Sequence, residues 1–305
     1  YLINADSEIL KKLYIVLLIC FITLIIDTFY QFFNGFNLLN MTTINSNRLS
    51  SLFGDELILG SYLMRLFPLI LALYFFIYKK KQNQKNIIFK ILFLFATLFT
   101  IYLSGERSSF FLFNLAVAFF LIFLNNLRYE KIFVFLSYFC LILFLIFLET
   151  PFKKRLIDQT LNQTGFLKES GKKFVFSRQH EEHYISALRM FEDNKFLGIG
   201  PKNFRVKCSE KRYRISELTC STHPHNTYIQ LLAETGFLGF LIIFLLLLFI
   251  FFLLIKNFYY RIRYKKSVYN NFQISLMITI LIYLWPITSN GNFFNNWISS
   301  IYFMP

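Results

Sequence analysis

Seven apolar runs dominate this chain and leave it few folds to choose from: Leu13–Phe33, Leu57–Tyr78, Ile87–Leu103, Ser108–Leu127, Ile132–Leu148, Leu231–Ile255 and Phe272–Thr288. A hydrocarbon core about 30 Å thick needs about 20 apolar residues in helical form, so runs of this size read as membrane spans. An eighth run, Phe293–Met304, is cut off or lies in the interface. Composition agrees, with 56% hydrophobic and 16% charged residues, a mean hydropathy of +0.50 and 42 Phe among 305 residues. A soluble domain is about 45–50% apolar and about a quarter charged, so a single soluble domain is excluded. The expected fold class is all-α, a polytopic membrane helical bundle.

The net charge of +15 would suggest nucleic acid in a soluble protein. In a membrane protein the question is instead which side each charge occupies. Lys11 and Lys12 precede the first run, and Lys79, Lys80, Lys81, Lys85 and Lys90 lie around the second connection. Arg128 and Lys131 follow the fourth run, and Lys256, Arg261, Arg263, Lys265 and Lys266 follow the sixth. If every run crosses once, all of these fall on one side, which the excess of Lys and Arg marks as cytoplasmic. The opposite short connections hold only Arg48 and Arg107. No nucleic-acid partner is then needed to explain the charge.

This organisation gives helices over 1–149, a polar loop domain over 150–226 and C-terminal helices over 227–305. The loop, also rich in Lys and Arg, falls on the outer side, where it suits an anionic ligand. Cys20 and Cys140 sit in spans. Cys208 and Cys220 share the outer loop, where an oxidising compartment allows them to pair. His180-Glu181-Glu182-His183 lacks zinc-site spacing and reads more readily as a solvated helix face than as a metal site.

Ionisable residues near spans are functional candidates. Arg107 lies in Ser104-Gly105-Glu106-Arg107-Ser108-Ser109, a short outer turn in which Ser108 or Ser109 can cap the next helix and the helix N-terminus can receive an anion. Pairing of Arg107 with Glu106 is the alternative. Asp27 and Arg65 can pair across helices. A helix over Ser177–Asn194 would place Tyr184, Leu188 and Phe191 on one face, with Arg178 and Arg189 as candidate ligand contacts or as solvated charges. The densest constellation is Thr222-His223-Pro224-His225-Asn226, running through Glu234 to Gly236-Phe237-Leu238-Gly239. A histidine at the lip of a span can take and return a proton near neutrality. Asn226 can orient a neighbour, and His223 is structural or binds substrate. The glycines permit close helix packing.

His225-Asn226, nine intervening residues and Gly236-x-x-Gly239 resemble the signature of the O-antigen ligase and polymerase superfamily. Phe240 stands where ligases often carry Thr or Val. Asp27 to Gln31 with Gly35, Arg48–Gly60, Ser104–Ser109, Arg178 through Gly200-Pro201-x-Asn203-Phe204, and Asn290–Trp297 resemble further family segments in the same order. Members commonly have about a dozen spans, so the resemblance implies a chain lacking its early helices.

The resemblance also implies a GT-C-like glycosyltransferase with a partly helical periplasmic loop in the bacterial inner membrane, acting in lipopolysaccharide biosynthesis. Its donor would be a glycan on undecaprenyl pyrophosphate and its acceptor lipid A-core or another glycan, with membrane lipids around it and no metal or cofactor. His225, Arg107 and Arg178 would be catalytic, His225 as general base and the arginines on the leaving pyrophosphate. Arg48, Arg189, His223 and Asn226 would bind substrate. A polymerase, a protein O-oligosaccharyltransferase, and a lipid-linked glycan transporter or flippase are the rival readings. A transporter would place ionisable groups deep in broken spans, whereas the polar signals here gather at one face.

Overall fold

The structure, a computed structural model, describes residues 7–43, 47–78, 84–125, 128–164, 174 and 176–295. Lys79, Lys80, Lys81, Leu127 and the part of the 293–304 run after Asn295, including Trp297, lie outside the described residues. The elements in order are α1 (Ser7–Asn34), α2 (Leu59–Ile77), α3 (Gln84–Leu103), α4 (Arg107–Phe123), α5 (Arg128–Phe147), α6 (Pro151–Lys153), α7 (Gln159–Thr164), α8 (Arg178–Asp193), α9 (Phe204–Lys207), α10 (Thr227–Tyr264) and α11 (Asn271–Tyr283). A π-helical stretch, Lys154–Asp158, joins α6 to α7. The described residues contain no strand, and the fold is an all-α membrane bundle.

All seven apolar runs fold largely as helices, and they differ in length and apolar content among the described residues. α1, α2 and α10 are long and apolar enough to cross a membrane. The helices at 131–147 and 151–164, bent by 94° at a short break, make a fourth if counted as one broken span. The apolar part of α3, all of α4 and all of α11 are shorter. The ends are set by specific residues: α4 starts directly after its turn at Glu106, and α11 stops two residues ahead of Trp285-Pro286, because a residue before proline avoids helical ψ.

Two compact units are present. The first comprises residues 1–157 and 253–282. In it α1 buries Leu10, Tyr14, Phe21, Leu24, Ile25 and Thr28 at helical spacing and leaves Ile9, Val16, Ile19 and Ile26 exposed. One face therefore packs while the other suits lipid. α2 is predominantly apolar and largely buried, and packs against α1, α3 and α4. Phe67 sits at its centre, with ring centroids 4.9 Å from Phe113 and 5.5 Å from Phe93. Lipid tails are as apolar as these rings, so tight packing rather than escape from water holds such helices together.

Polar side chains tie the loops of this unit to its helices. Asp27 accepts hydrogen bonds from the Leu38 amide at 2.7 Å and from the Ser51 hydroxyl, and Gln31 accepts from the Ser51 amide at 2.9 Å. Asp27 is thus compensated by the loop after α1, while Arg65 bonds to Ser61 of its own helix. At the other end of α4, Arg261 donates to the carbonyls of Phe123 and Leu124. A cation at a helix C-terminus satisfies orphan carbonyls and the helix dipole together.

The second unit comprises residues 158–252 and 283–304. α8 buries Glu182, His183, Ser186, Ala187 and Met190, whereas Leu188 is exposed and Tyr184 and Phe191 are half-buried. The helix forms over the expected range, and Tyr184, Leu188 and Phe191 lie along its less buried side. Its buried side joins a core, where Ala187 and Met190 pack with Phe204, Cys208, Tyr213 and Ala233. Cys208 and Cys220 form a disulfide, with Cα atoms 5.3 Å apart.

α10 is broken at Gly236, where φ is +67° and ψ is −167°. The turn at 195–200 runs against this break. Ile199 and Gly200 donate to the carbonyls of Ala233 and Glu234, both at 2.9 Å, and Phe237 donates to the Lys195 carbonyl at 2.7 Å. A Cβ on Gly236 would fall 2.3 Å from the Phe196 backbone, and one on Gly198 would fall 2.5 Å from the backbone of Glu234 and Thr235. Gly236 thus serves a backbone-to-backbone crossing rather than the helix-to-helix packing expected from the glycine pair.

Candidate active site

Two polar clusters stand out, one in each unit. In the first unit the turn at 104–107 is surrounded by arginines. Arg48 donates from Nη2 to the Leu57 carbonyl at 2.8 Å and from Nε to the Ser104 carbonyl at 3.4 Å. Arg155, on the π-helical stretch, donates from Nε to the Gly105 carbonyl at 3.0 Å. Gly105 has φ +62°, and a Cβ there would come within 3.0 Å of Arg155 Cδ and 3.1 Å of Arg48 Cγ. Both stems therefore flank this glycine, and Arg107 is the first residue of α4 beside it.

Glu106 does not pair with Arg107 in any simple sense. Its carboxylate accepts from the Gly60 and Ser61 amides at 2.7 and 3.1 Å and from the Ser109 hydroxyl at 3.0 Å. It is the anion at the N-terminus of α2, where exposed N–H groups and the dipole favour negative charge. Ser109 therefore serves Glu106 instead of capping α4, and the α4 N-cap residue, Glu106, makes no side-chain capping bond. Burial raises the Glu106 pKa, while Arg48 and these hydrogen bonds hold it down. Burial lowers the Arg48 pKa, Glu106 opposes this, and the nearby charges of Arg155 and Arg107 lower it further.

In the second unit all four histidines of the chain meet. The His225 ring centroid lies 4.1 Å from His223, 5.4 Å from His183 and 5.5 Å from His180. His183 is buried and His180 half-buried, so 180–183 is not the solvated helix face expected. Sequence reading missed this convergence; its available signal was that every histidine falls in one polar segment. Among the described residues no group of three or more His, Cys, Asp and Glu is arranged to hold a metal ion.

The loop carrying His223 and His225 is gripped from the C-terminal stretch. The Asn290 amide donates to the His225 carbonyl at 2.8 Å, and His223 Nε2 lies 3.0 Å from the Asn290 carbonyl. A carbonyl only accepts, so Nε2 carries the proton in neutral His223 and Nδ1 accepts from the Thr222 hydroxyl at 2.9 Å. His223 is therefore engaged at both nitrogens. Asn226 is engaged as well: its Oδ1 accepts from the Tyr228 and Ile229 amides, capping α10, and its Nδ2 donates to the Pro286 carbonyl at 2.8 Å.

Gln230 extends the grip, donating from Nε2 to Glu234 and Asn292 and accepting from the Phe293 amide. Fully buried Glu234 in turn accepts from the Phe204 amide at 3.0 Å, anchoring α9.

His225 itself has no hydrogen bond to either ring nitrogen among the described residues and is half-buried rather than enclosed. Its backbone has φ +60°, a left-handed conformation that costs a non-glycine residue about 1–2 kcal/mol. The Asn290 bond helps to hold it. Burial lowers the His225 pKa to about 3, helped by His223, His180 and His183. Its ring is neutral at neutral pH, with a lone pair that faces no donor among the described residues.

On α8, Arg178 donates from Nε to buried Glu182 at 3.1 Å while its side chain stays exposed, and Glu182 also accepts from Ser216. Arg189 lies on the exposed face of the same helix. The structure thus brings Arg48 and Arg107 to one turn and His223, His225 and Asn226 to one loop. Arg178 and Arg189 share α8 with His180 and His183.

A family model described as O-antigen ligase matches residues 89–244, just over half of the chain. The chain belongs to the O-antigen ligase family. The matched stretch holds the 104–107 turn, Arg155, α8, all four histidines, and Gly236 with Gly239. Membership carries glycosyl-transferring activity of the ligase or polymerase type and lipid-linked glycan substrates. Comparison with the curated proteins gives no match.

Proposed function

We propose that the protein is an O-antigen ligase-like glycosyltransferase. In this reading it moves a glycan from undecaprenyl pyrophosphate to lipid A-core at the periplasmic face of the bacterial inner membrane. The observation that carries it is the neutral, unclaimed His225 ring held beside three other histidines at the start of α10. His225 accepts the proton of an acceptor hydroxyl as that oxygen bonds to the anomeric carbon. The bond from that carbon to the pyrophosphate oxygen breaks, and lipid pyrophosphate departs with both electrons. A base of low pKa suffices, because the acceptor oxygen becomes strongly acidic as its new bond forms. General-base help of this kind is worth roughly 10²–10⁴ in rate.

His223 and Asn226 act as positioning residues, since their polar atoms are engaged within the protein. Arg48 and Arg107 are proposed to hold the leaving diphosphate, Arg178 to bind donor charge and Arg189 to contact the glycan. Planar guanidinium groups suit phosphate oxygens and stabilise charge on the leaving group. No metal or cofactor has a part in this scheme.

The test is transfer from a purified undecaprenyl-pyrophosphate glycan to defined acceptors. His225→Ala is expected to abolish transfer, a loss of at least about 100-fold, at unchanged protein level; retained transfer would sink the proposal. The acceptor used separates the readings: lipid A-core indicates a ligase, a second lipid-linked glycan a polymerase, and a protein hydroxyl an O-oligosaccharyltransferase. Movement of the lipid-linked glycan across a vesicle bilayer without transfer indicates a flippase.

A further inference from the structure

We propose that Arg155 completes a three-arginine anion site around the 104–107 turn, and that this site prefers a lipid diphosphate to a lipid monophosphate. Nothing in the sequence pattern selects Arg155, which is one of three consecutive basic residues, Lys153, Lys154 and Arg155, after a proline-initiated turn. The fold separates the three. Lys153 pairs with Glu149, Lys154 is exposed, and Arg155 turns onto the Gly105 carbonyl.

The geometry has two parts. Gly105 leaves room for the stems of Arg48 and Arg155 on its surface, since a Cβ there would press on both and would fall 2.5 Å from the Asn47 carbonyl oxygen. The Arg155 bond to Gly105 uses Nε alone, so its two terminal amino groups have no protein partner among the described residues. A guanidinium oriented through Nε, with its outer nitrogens free, is poised for a bidentate contact to phosphate oxygens.

Charge counting favours a diphosphate. Glu106 faces the α2 N-terminus through its hydrogen bonds to Gly60 and Ser61, so the three arginines and this carboxylate leave a net charge of +2 at the turn. A diphosphate diester brings two negative charges and more non-bridging oxygens than a single phosphodiester can present. This inference rests on the glycosyl-transfer reading for the identity of the ligand.

The experiment compares non-transferable diesters of undecaprenyl diphosphate and of undecaprenyl monophosphate, in detergent, both as direct ligands and as inhibitors of the transfer reaction. The proteins are wild type, Arg155→Gln and Arg155→Lys. Glutamine can still donate to the Gly105 carbonyl, so it removes the charge while sparing that contact. Wild type is expected to bind the diphosphate at least tenfold more tightly. Arg155→Gln is expected to lose most of that preference and to raise the donor KM about tenfold with a smaller change in kcat, at an unchanged melting temperature. Arg155→Lys should recover part of the binding.

Full preference and an unchanged KM in Arg155→Gln would overturn the role of Arg155 while leaving the transfer reading intact. Wild type binding neither lipid, or both equally, would overturn the site itself. Should Arg155→Gln melt early, Arg155→Lys decides, since a purely structural clamp would leave the diphosphate preference untouched.

Discussion

At the scale of single residues, four imidazoles packed with centroids as close as 4.1 Å disfavour any proton arriving among them. His225 bears most of that effect, and its pKa falls to about 3 through burial first and its neighbours second. The consequence for pH has a definite sign. A base must be unprotonated to act, so the acid limb of kcat/KM is expected well below the ordinary histidine value of about 6.5, with a flat profile from about pH 6 to 8 as far as this group is concerned.

Stability runs the same way. The lowered pKa contributes stability that is complete above the unfolded value of about 6.5 and is lost as pH falls towards the folded value of about 3. His183 and His223 are shifted downward too, also by burial, and add to the loss. Melting temperature measured at pH 7 and pH 5 should therefore drop less in His225→Gln than in wild type. An acid limb centred near 6.5 would contradict the packing seen here.

At the scale of elements, the break in α10 explains the glycine-rich pattern better than helix packing does. Gly236 occupies backbone angles open essentially to glycine alone, and the Phe196 backbone lies where a Cβ would go. Gly236→Ala is expected to destabilise the second unit by about 3 kcal/mol, from strain of about 1–3 kcal/mol and the displaced 195–200 turn. Limited proteolysis at that turn and thermal melting would show it. The disulfide closes a segment with a sequence separation of 12 over the Phe204 core. Cys220→Ser should cost about 3 kcal/mol by the loop-closure argument, read as a lower melting temperature that reducing agent no longer affects.

Helix ends follow the same logic of local satisfaction. Asn226 starts α10, Ser177 starts α8 by accepting from the His180 amide, and Arg261 ends α4. Each is a residue type with a known preference for its place, and the start of a helix at Ser177 was legible from periodicity. Arg261 was not: from sequence it is one of several basic residues marking a side of the membrane, and its carbonyl partners lie about 140 positions away along the chain.

At the scale of the whole molecule, the distribution of basic residues makes a prediction that does not depend on chemistry. Single cysteines placed at Lys266 and at Lys211, in a background lacking the native cysteines, should be labelled by a membrane-impermeant maleimide from opposite sides of the membrane, Lys266 from the side that the excess of short-loop Lys and Arg marks. Labelling of both from one side would reverse the reading of the 150–226 segment.

The sequence by itself determined the solvent, the helical class and the family. These depend on run length, charge sidedness and the order of short motifs, which are properties of neighbouring residues. Asp27, Gly105, Arg107, His225 and Gly236 were singled out on that basis. Tertiary structure alone decided what each of them touches. Glu106 went to the α2 amides rather than to Arg107, Asp27 went to Ser51 and Leu38, and His180 and His183 turned from solvent to His225. Arg155 emerged from a basic triplet because only it reaches Gly105. A buried polar group must find a partner, and which partner is within about 3 Å depends on how distant segments pack, a quantity no local pattern encodes.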